Sequence, residues 1–519
     1  MGVLNLVEKV RQQAFEQPEK TAYYFLGKGT SYGELEQTVA RFAAALEDLG
    51  VQKGDHVAFL LGNTPHFIIS LYASMRIGAV AIPINPIYTA DEISYIIKNG
   101  DVKVVIALDL LLPLVEAGVH RLPQVEQYII CETTPEIGEK YAALSDAAKE
   151  KTKLFSQVLA TTARTTDPVD LAPDDTAIIL YTSGTTGHPK GAMLTHNNLF
   201  SNARDIGDYL QMTTDDRVIA TLPVFHVFAL TVVVNSPLTR GATILLAPRF
   251  SPGEIFELAS TYKATVFAGV PTMFNFLYQY DQGDVSAFSS IRLTISGGAS
   301  LPVSLLHNFE QKFNVRISEG YGLSEASPVT CFNPIDRERK PGSIGQSIVN
   351  VENKIVDENG DEVGVGEVGE LIVRGPNVMK GYYKMPEETA VAIRDGWLYT
   401  GDLARRDEED YFYIVDRKKD LIIVGGYNVY PREVEEVLFS HEGIVEAAVV
   451  GFPDRDFGEA VHAYVVLKDP SVTIDDIRAY CAKHIVKYKV PSVIEILDEL
   501  PKNTTGKILR RSLKEIAKA

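Results

Sequence analysis

Eleven consecutive residues, Tyr181-Thr182-Ser183-Gly184-Thr185-Thr186-Gly187-His188-Pro189-Lys190-Gly191, hold three glycines, four small hydroxyls and one lysine. Bare backbone amides, short donors and a single positive charge directly after an apolar run ending at Leu180 are what a phosphate cradle requires. It is not a Walker A loop, which needs Ser or Thr after its lysine, because Gly191 follows Lys190. A second turn, Ser296-Gly297-Gly298-Ala299, comes directly after Ile295, and its paired glycines let backbone approach a ligand closely. His226, within Pro223-Val224-Phe225-His226-Val227-Phe228, and Lys507, in a segment rich in Asn, Thr and Gly, are ambiguous on their own. A histidine among apolar neighbours is more often core, and a lysine in a polar segment is more often solvated.

Loops of this kind need rigid elements behind them. Strand-like runs at 56–61, 80–84, 104–108, 177–180, 243–247 and 265–267 alternate with helical patterns such as 65–77, where Ile68, Ile69 and Leu71 are apolar. That alternation predicts an α/β fold with parallel sheets covered by helices on both faces. After about residue 340 the texture changes to short strands at 352–357, 369–374 and 411–415 with turn signals such as Glu358-Asn359-Gly360, which predicts a small antiparallel sheet or barrel. The charged run Asp416-Arg417-Lys418-Lys419-Asp420 interrupts the apolar pattern, and a boundary is placed there. Beyond it, a helix starting at Pro431 with Val434, Val437 and Leu438 on one face, then strands at 447–451 and 463–467, predict a small α+β C-terminal domain.

The 519 residues suffice for several cores, and 45% hydrophobic residues argue for compact folded domains. A net charge of -18 opposes nonspecific nucleic-acid binding, so local groups must hold any anionic ligand. Cys131, Cys331 and Cys481 are too far apart for a zinc motif and read as reduced thiols. The opening residues Met1-Gly2-Val3-Leu4-Asn5-Leu6 lack the pattern of a signal peptide, and the longest apolar stretches, such as 228–234, fall far short of the ~20 residues that span a bilayer. The expectation is a cytoplasmic protein without a transmembrane segment; peripheral membrane contact and a homodimer are left open.

The run from Thr182 to Gly191 resembles the TSGTTGxPKG signature of the adenylate-forming superfamily, which contains acyl-CoA synthetases, peptide-synthetase adenylation domains and firefly-type luciferases. Four more blocks follow in the family's order. Glu319-Gly320-Tyr321-Gly322-Leu323-Ser324-Glu325 resembles its YGxTE block, with Ser324 where Thr is usual, and Tyr399-Thr400-Gly401-Asp402 resembles its TGD block. Residues 416–420 resemble its hinge block, and Pro501-Lys502-Asn503-Thr504-Thr505-Gly506-Lys507 its terminal PKxxxGK block, so the resemblance covers essentially the whole chain.

The resemblance implies an ATP-dependent acid–thiol ligase that makes an acyl-AMP, releases pyrophosphate and passes the acyl group to CoA. It assigns Thr182, Ser183, Gly184, Thr185, Thr186, Gly187 and Lys190 to the phosphates. It assigns Gly297, Gly298, Ala299, Glu319, Gly320, Tyr321 and Gly322 to the nucleotide, with Tyr321 stacking on adenine. Asp402 then accepts from the ribose hydroxyls beside Arg417, Glu325 binds Mg2+ and Ser324 donates to the α-phosphate. Lys507 bridges carboxylate and α-phosphate, and His226 gates the carboxylate site. Residues 1–416 become the N-terminal domain, 417–419 a hinge turning about Lys419, and 420–519 a mobile C-terminal domain whose Gly425 and Gly426 line the pantetheine tunnel of CoA.

For the acid, the segment Val270-Pro271-Thr272-Met273-Phe274-Asn275-Phe276-Leu277 is where malonyl-CoA synthetases, which the chain also resembles in its Gly-Gly-Tyr-Asn-Val-Tyr-Pro block, carry an arginine; here Phe276 stands in that place. A pocket framed by Phe228, Met273, Phe274 and Phe276 favours an apolar tail, since each buried methylene contributes about 0.8 kcal/mol. The expectation is a fatty acyl-CoA synthetase of medium to long chain preference. The alternatives are an aryl or dicarboxylate ligase, an acyl-carrier loading ligase, a luciferase-like oxygenase, or a catalytically dead nucleotide binder, which the presence of Lys507, Glu325 and Asp402 disfavours.

Overall fold

The structure, a computed structural model, describes residues 5–182, 189–503 and 506–516. Two α/β layers form the large N-terminal part. In one, Val80–Pro83, His56–Leu60, Val102–Leu108, Gln127–Cys131 and Thr152–Leu154 run parallel beside Thr176–Thr182, which turns back antiparallel into Lys190–Thr195. In the other, Thr21–Phe25, Thr243–Leu246, Arg217–Ala220, Val266–Gly269, Leu293–Ser296 and Ile317–Gly322 are parallel. Its edges are closed antiparallel by Lys28–Ser31 on one side and Val329–Phe332 on the other. Central strands such as Val104 to Ala107 and Leu293 to Ser296 are fully buried, the continuous apolar texture that parallel sheets acquire when helices cover both faces.

Local sequence starts the helices between these strands. Ser31 with Glu34 and Thr89 with Glu92 form reciprocal capping boxes at the starts of Tyr32–Asp48 and Ala90–Asn99. Between the two layers Phe59, Phe67, Leu71, Val218 and Leu230 join one continuous apolar core.

The antiparallel sheet expected after residue 340 is present, with Glu352–Val356, Gly369–Arg374, Trp397–Arg406, Ile393–Arg394 and Phe412–Arg417. Asp416 and Arg417 are the last residues of its final strand, and Asp420 N donates to Arg417 O to close a turn holding Lys418 and Lys419. A further sheet follows, made of Tyr427–Val429, Ile422–Val424, Gly458–Leu467, Ile444–Asp454 and Val493–Ile496, packed against the helices Pro431–Phe439 and Ile474–His484. It has its own core of Val434, Leu438, Val449, Ala463 and Ile477.

Candidate active site

A cleft of about 2330 Å³ opens between the carboxyl ends of the N-terminal strands and the C-terminal sheet and its flanking segments. Drug-sized ligands fill roughly 300–1,000 Å³, so this space admits more than one substrate. Carboxyl ends of parallel strands are where α/β sheets bind ligands, since the chain leaves each strand there in an adaptable loop.

The strand Ile317–Gly322 delivers Tyr321 and then Ser324 and Glu325 to the cleft. Its glycines are required by packing: a Cβ on Gly320 would stand 2.4 Å from the Phe332 ring, and one on Gly322 would stand 2.2 Å from the Pro328 carbonyl oxygen. The Tyr321 hydroxyl donates to Asp402 Oδ2 at 2.5 Å. Asp402 is 9% exposed and faces Arg417 directly across two antiparallel strands, with Arg417 Nε 3.5 Å from Asp402 Oδ1. Gly401, at φ +74°, makes the kink that turns Asp402 inward, and Thr400 Oγ1 secures it by accepting from Asp402 N at 3.1 Å. The result is a carboxylate oriented by one phenol and one guanidinium.

Glu325 Oε1 accepts from the Tyr382 hydroxyl at 2.8 Å. Among the described residues no group of three His, Cys, Asp or Glu forms a metal cage. A lone hard carboxylate on an open cleft fits magnesium, which takes one or two protein carboxylates and leaves its remaining positions to phosphate oxygens and water.

Lys507 reaches the cleft from the far side. Asn503 and Lys507 exchange hydrogen bonds, Lys507 N to Asn503 Oδ1 at 2.9 Å and Asn503 N to Lys507 O at 2.8 Å, around Gly506 at φ +80°. Thr272 Oγ1, on the helix Pro271–Gln279, donates to Gly506 O at 3.2 Å and ties this turn to the N-terminal part. Burial lowers the Lys507 ammonium to about 8, with Arg417 adding to the drop while Asp402 and Glu325 oppose it. His226 lines the same cleft and is pushed down to about 4 by burial and then by Lys507, so it is neutral at physiological pH. Glu319, 6% exposed, is raised to about 7 by burial, although Arg432 and the amides of Gly342 and Leu301 favour its charge.

Ser183, Gly184, Thr185, Thr186 and Gly187 lie outside the described residues. Their flanks, Thr182 and Lys190, pair across the antiparallel strands at the cleft wall. Lys190 Nζ is held by the Glu388 carboxylate and lies 5.3 Å from the Tyr382 ring centroid, two partners that sequence gave no reason to expect. Gly297, Gly298 and Ala299 also line the cleft, as does Lys419.

Other expected residues lie away from the cleft wall. Gly425 and Gly426, at φ +57° and +85°, form the hairpin turn between Ile422–Val424 and Tyr427–Val429 and contribute nothing to the cleft wall. Met273 is buried in the core, and Phe276 is 48% exposed. At about 100° per residue, the cleft face of helix Pro271–Gln279 carries Thr272, Asn275 and Gln279, while Phe274 and Leu277 face the core. Phe276 falls on the shoulder between them, beside Phe250 and Lys502. Of the expected pocket residues Phe228, Met273, Phe274 and Phe276, Phe228 alone lines the cleft, together with Val232, Ile295 and Gly297, where a Cβ would come 3.2 Å from the Phe228 ring.

A family model described as AMP-binding enzyme matches residues 10–383, and one described as AMP-binding enzyme C-terminal domain matches residues 433–507. The chain belongs to this AMP-binding family of the adenylate-forming superfamily and is an AMP-forming acid–thiol ligase. It is 40% identical to a long-chain-fatty-acid–CoA ligase of Bacillus subtilis, covering 96% of this chain and 92% of that one. It is 36% identical to a feruloyl-CoA synthase of an Amycolatopsis species, with 95% of each covered. Among solved structures, ATP-bound MatB from Rhodopseudomonas palustris superposes with a TM-score of 0.87 at 33% identity over 99% of both chains. The anthranilate CoA ligase AuaEII with anthranoyl-AMP gives a TM-score of 0.90 at 28% identity, covering 99% of this chain and 97% of that one.

Proposed function

We propose that the protein activates a medium- to long-chain fatty acid. The observation that carries this reading is the apolar part of the cleft lining made by Phe228, Val232 and Ile295, with Gly297 leaving room beside the Phe228 ring. A polymethylene tail gains about 0.8 kcal/mol for each methylene buried there, whereas a second carboxylate would be desolvated without a partner. The relative named for long-chain fatty acids supports the same choice.

In the first half-reaction a carboxylate oxygen attacks the α-phosphorus of ATP, the bond to the bridging oxygen breaks, and pyrophosphate leaves. Asp402 accepts from the ribose hydroxyls, held in place by Arg417 and Tyr321. Ser324 donates to the α-phosphate, and the Lys507 ammonium lies between the two anions that must meet, where it offsets their repulsion and the charge that develops on the phosphoryl oxygens. Neutral His226 adds no charge beside the carboxylate. Glu325 is the residue that would hold Mg2+, which supplies charge neutralisation on the triphosphate. Lys190 would exchange Glu388 for a phosphate.

In the second half-reaction the CoA thiolate attacks the acyl carbonyl carbon and AMP leaves. We assign the residues before 417 and after 419 to two units that turn about Lys419, withdrawing Lys507 and bringing the hairpin of Gly425 and Gly426 to the cleft. The test is a thioester screen: octanoate, palmitate, ferulate and malonate, each with ATP and CoA, reading pyrophosphate and acyl-CoA together. Palmitate or octanoate should dominate. A preference for ferulate would favour an aryl-acid ligase, the reading that the Amycolatopsis relative supports; strong malonate turnover would overturn the apolar reading.

A further inference from the structure

The helix Val303–Phe313 begins after Pro302 without a side-chain cap of its own. From beyond the hinge turn, the Glu436 carboxylate approaches its first amide, Val303 N, which favours the charged form against the cost of burial. An anion at a helix N-terminus is favoured by the unpaired amides there. One turn earlier on helix Pro431–Phe439, Arg432 donates from Nη1 to Ile414 O at 2.6 Å and from Nη2 to Gly342 O at 3.4 Å, while its Nε stands 3.9 Å from Glu436 Oε1. The same guanidinium acts on buried Glu319, whose carboxylate accepts from Gly342 N and Leu301 N. One arginine of the C-terminal part therefore sits between two carboxylates, one from each side of the hinge, and grips two N-terminal carbonyls.

We infer that Arg432 and Glu436 form a clasp that holds the Lys507 segment in the cleft, which makes them positioning residues for acyl-AMP formation; this rests on the two-pose reading above. These contacts join polar groups that water can satisfy once the units part, so the clasp can open without exposing a core. The cap also falls on the segment that runs from Gly297 and Ala299, in the cleft wall, into the helix at Val303. Opening it frees the same stretch of backbone that the nucleotide and acid would touch.

The test separates the half-reactions in Glu436→Ala, Arg432→Ala and Glu436→Gln, using ATP with the best acid for the first and synthetic acyl-AMP with CoA for the second. The two alanine variants should lose about tenfold in acyl-AMP formation and keep the parent rate or better in thioester formation. Glu436→Gln, which retains an acceptor for Val303 N, should recover most of the loss. Equal loss in both half-reactions, or none in the first, overturns the clasp. A second measurement is independent of the acid: spin labels on Asp281→Cys and Glu499→Cys, both exposed positions, in a chain whose Cys131, Cys331 and Cys481 are buried. With ATP bound, Glu436→Ala should show a second inter-label distance absent from the parent, and identical distributions overturn the clasp. A parent that shows one distance with ATP and with acyl-AMP plus CoA refutes the two poses themselves, and a parent that makes no fatty acyl-CoA refutes only the choice of acid.

Discussion

The role proposed for Lys507 rests on where it lies, in the cleft near Asp402, Glu325 and Arg417, since its type and neighbours in sequence describe an ordinary surface lysine. Lys507→Ala is expected to slow acyl-AMP formation by about 10²- to 10³-fold, the scale of removing one preorganised donor, and to spare thioester formation from synthetic acyl-AMP. Stopped-flow pyrophosphate release and a separate thiol-consumption assay check the two halves; equal loss in both would refute the assignment. Its acidity gives a second expectation. With the ammonium lowered to about 8 by burial, the kcat/KM for adenylation should fall as pH rises through that value, because the charged form is needed. In kcat the limb should move to higher pH, since bound triphosphate stabilises the charge. Glu319 acts on stability, which it also lowers as pH rises. Its folded pKa of about 7 lies above the ordinary carboxylate value, so stability is full below about pH 4.3 and declines until pH passes 7. Glu319→Gln should gain stability relative to the parent by an amount that grows from pH 5 to pH 8, on the order of 3 kcal/mol at most, as read by thermal melts at both pH values.

At the scale of elements, the turn of the helix Pro271–Gln279 sets which of its side chains face the cleft. Phe276, on the exposed shoulder, should tolerate Phe276→Arg with palmitate kinetics changed less than about twofold, as surface substitutions usually do. Gly297→Val, by contrast, would drive a branched side chain into the Phe228 ring and should cut turnover of long acids far more than turnover of acetate. A graded chain-length series on both variants checks this pair, and a large loss in the arginine variant would put Phe276 back in the site. No element is read for this segment from sequence alone, and on a helix a shift of one residue moves a side chain by about 100°. That is why an apolar residue beside the site was mistaken for one inside it.

For the molecule as a whole, the turn at Lys419, proposed as the hinge, is the place to test transfer to CoA. Lys419→Pro fixes φ near -65° and should leave acyl-AMP formation near the parent rate while slowing thioester formation at least tenfold, measured in single turnovers. Normal transfer to CoA would show that the chain bends elsewhere.

Chain order, the alternating α/β texture, the antiparallel sheet and the glycine loops at strand ends could all be read from sequence, because they follow from local periodicity and turn chemistry. Asp402, Glu325 and Lys507 were singled out only by the resemblance of their blocks to the family, since taken alone each reads as a turn former or a solvated side chain. The tertiary structure alone decided which distant groups meet: Tyr321 and Arg417 on Asp402, Tyr382 on Glu325, Glu388 on Lys190, Thr272 on Gly506, and Arg432 on Ile414 O. These pairs span long separations or cross the hinge and obey no period. They arise only when strands from both layers and the C-terminal sheet surround one cleft, where burial removes water and makes each partner's charge count.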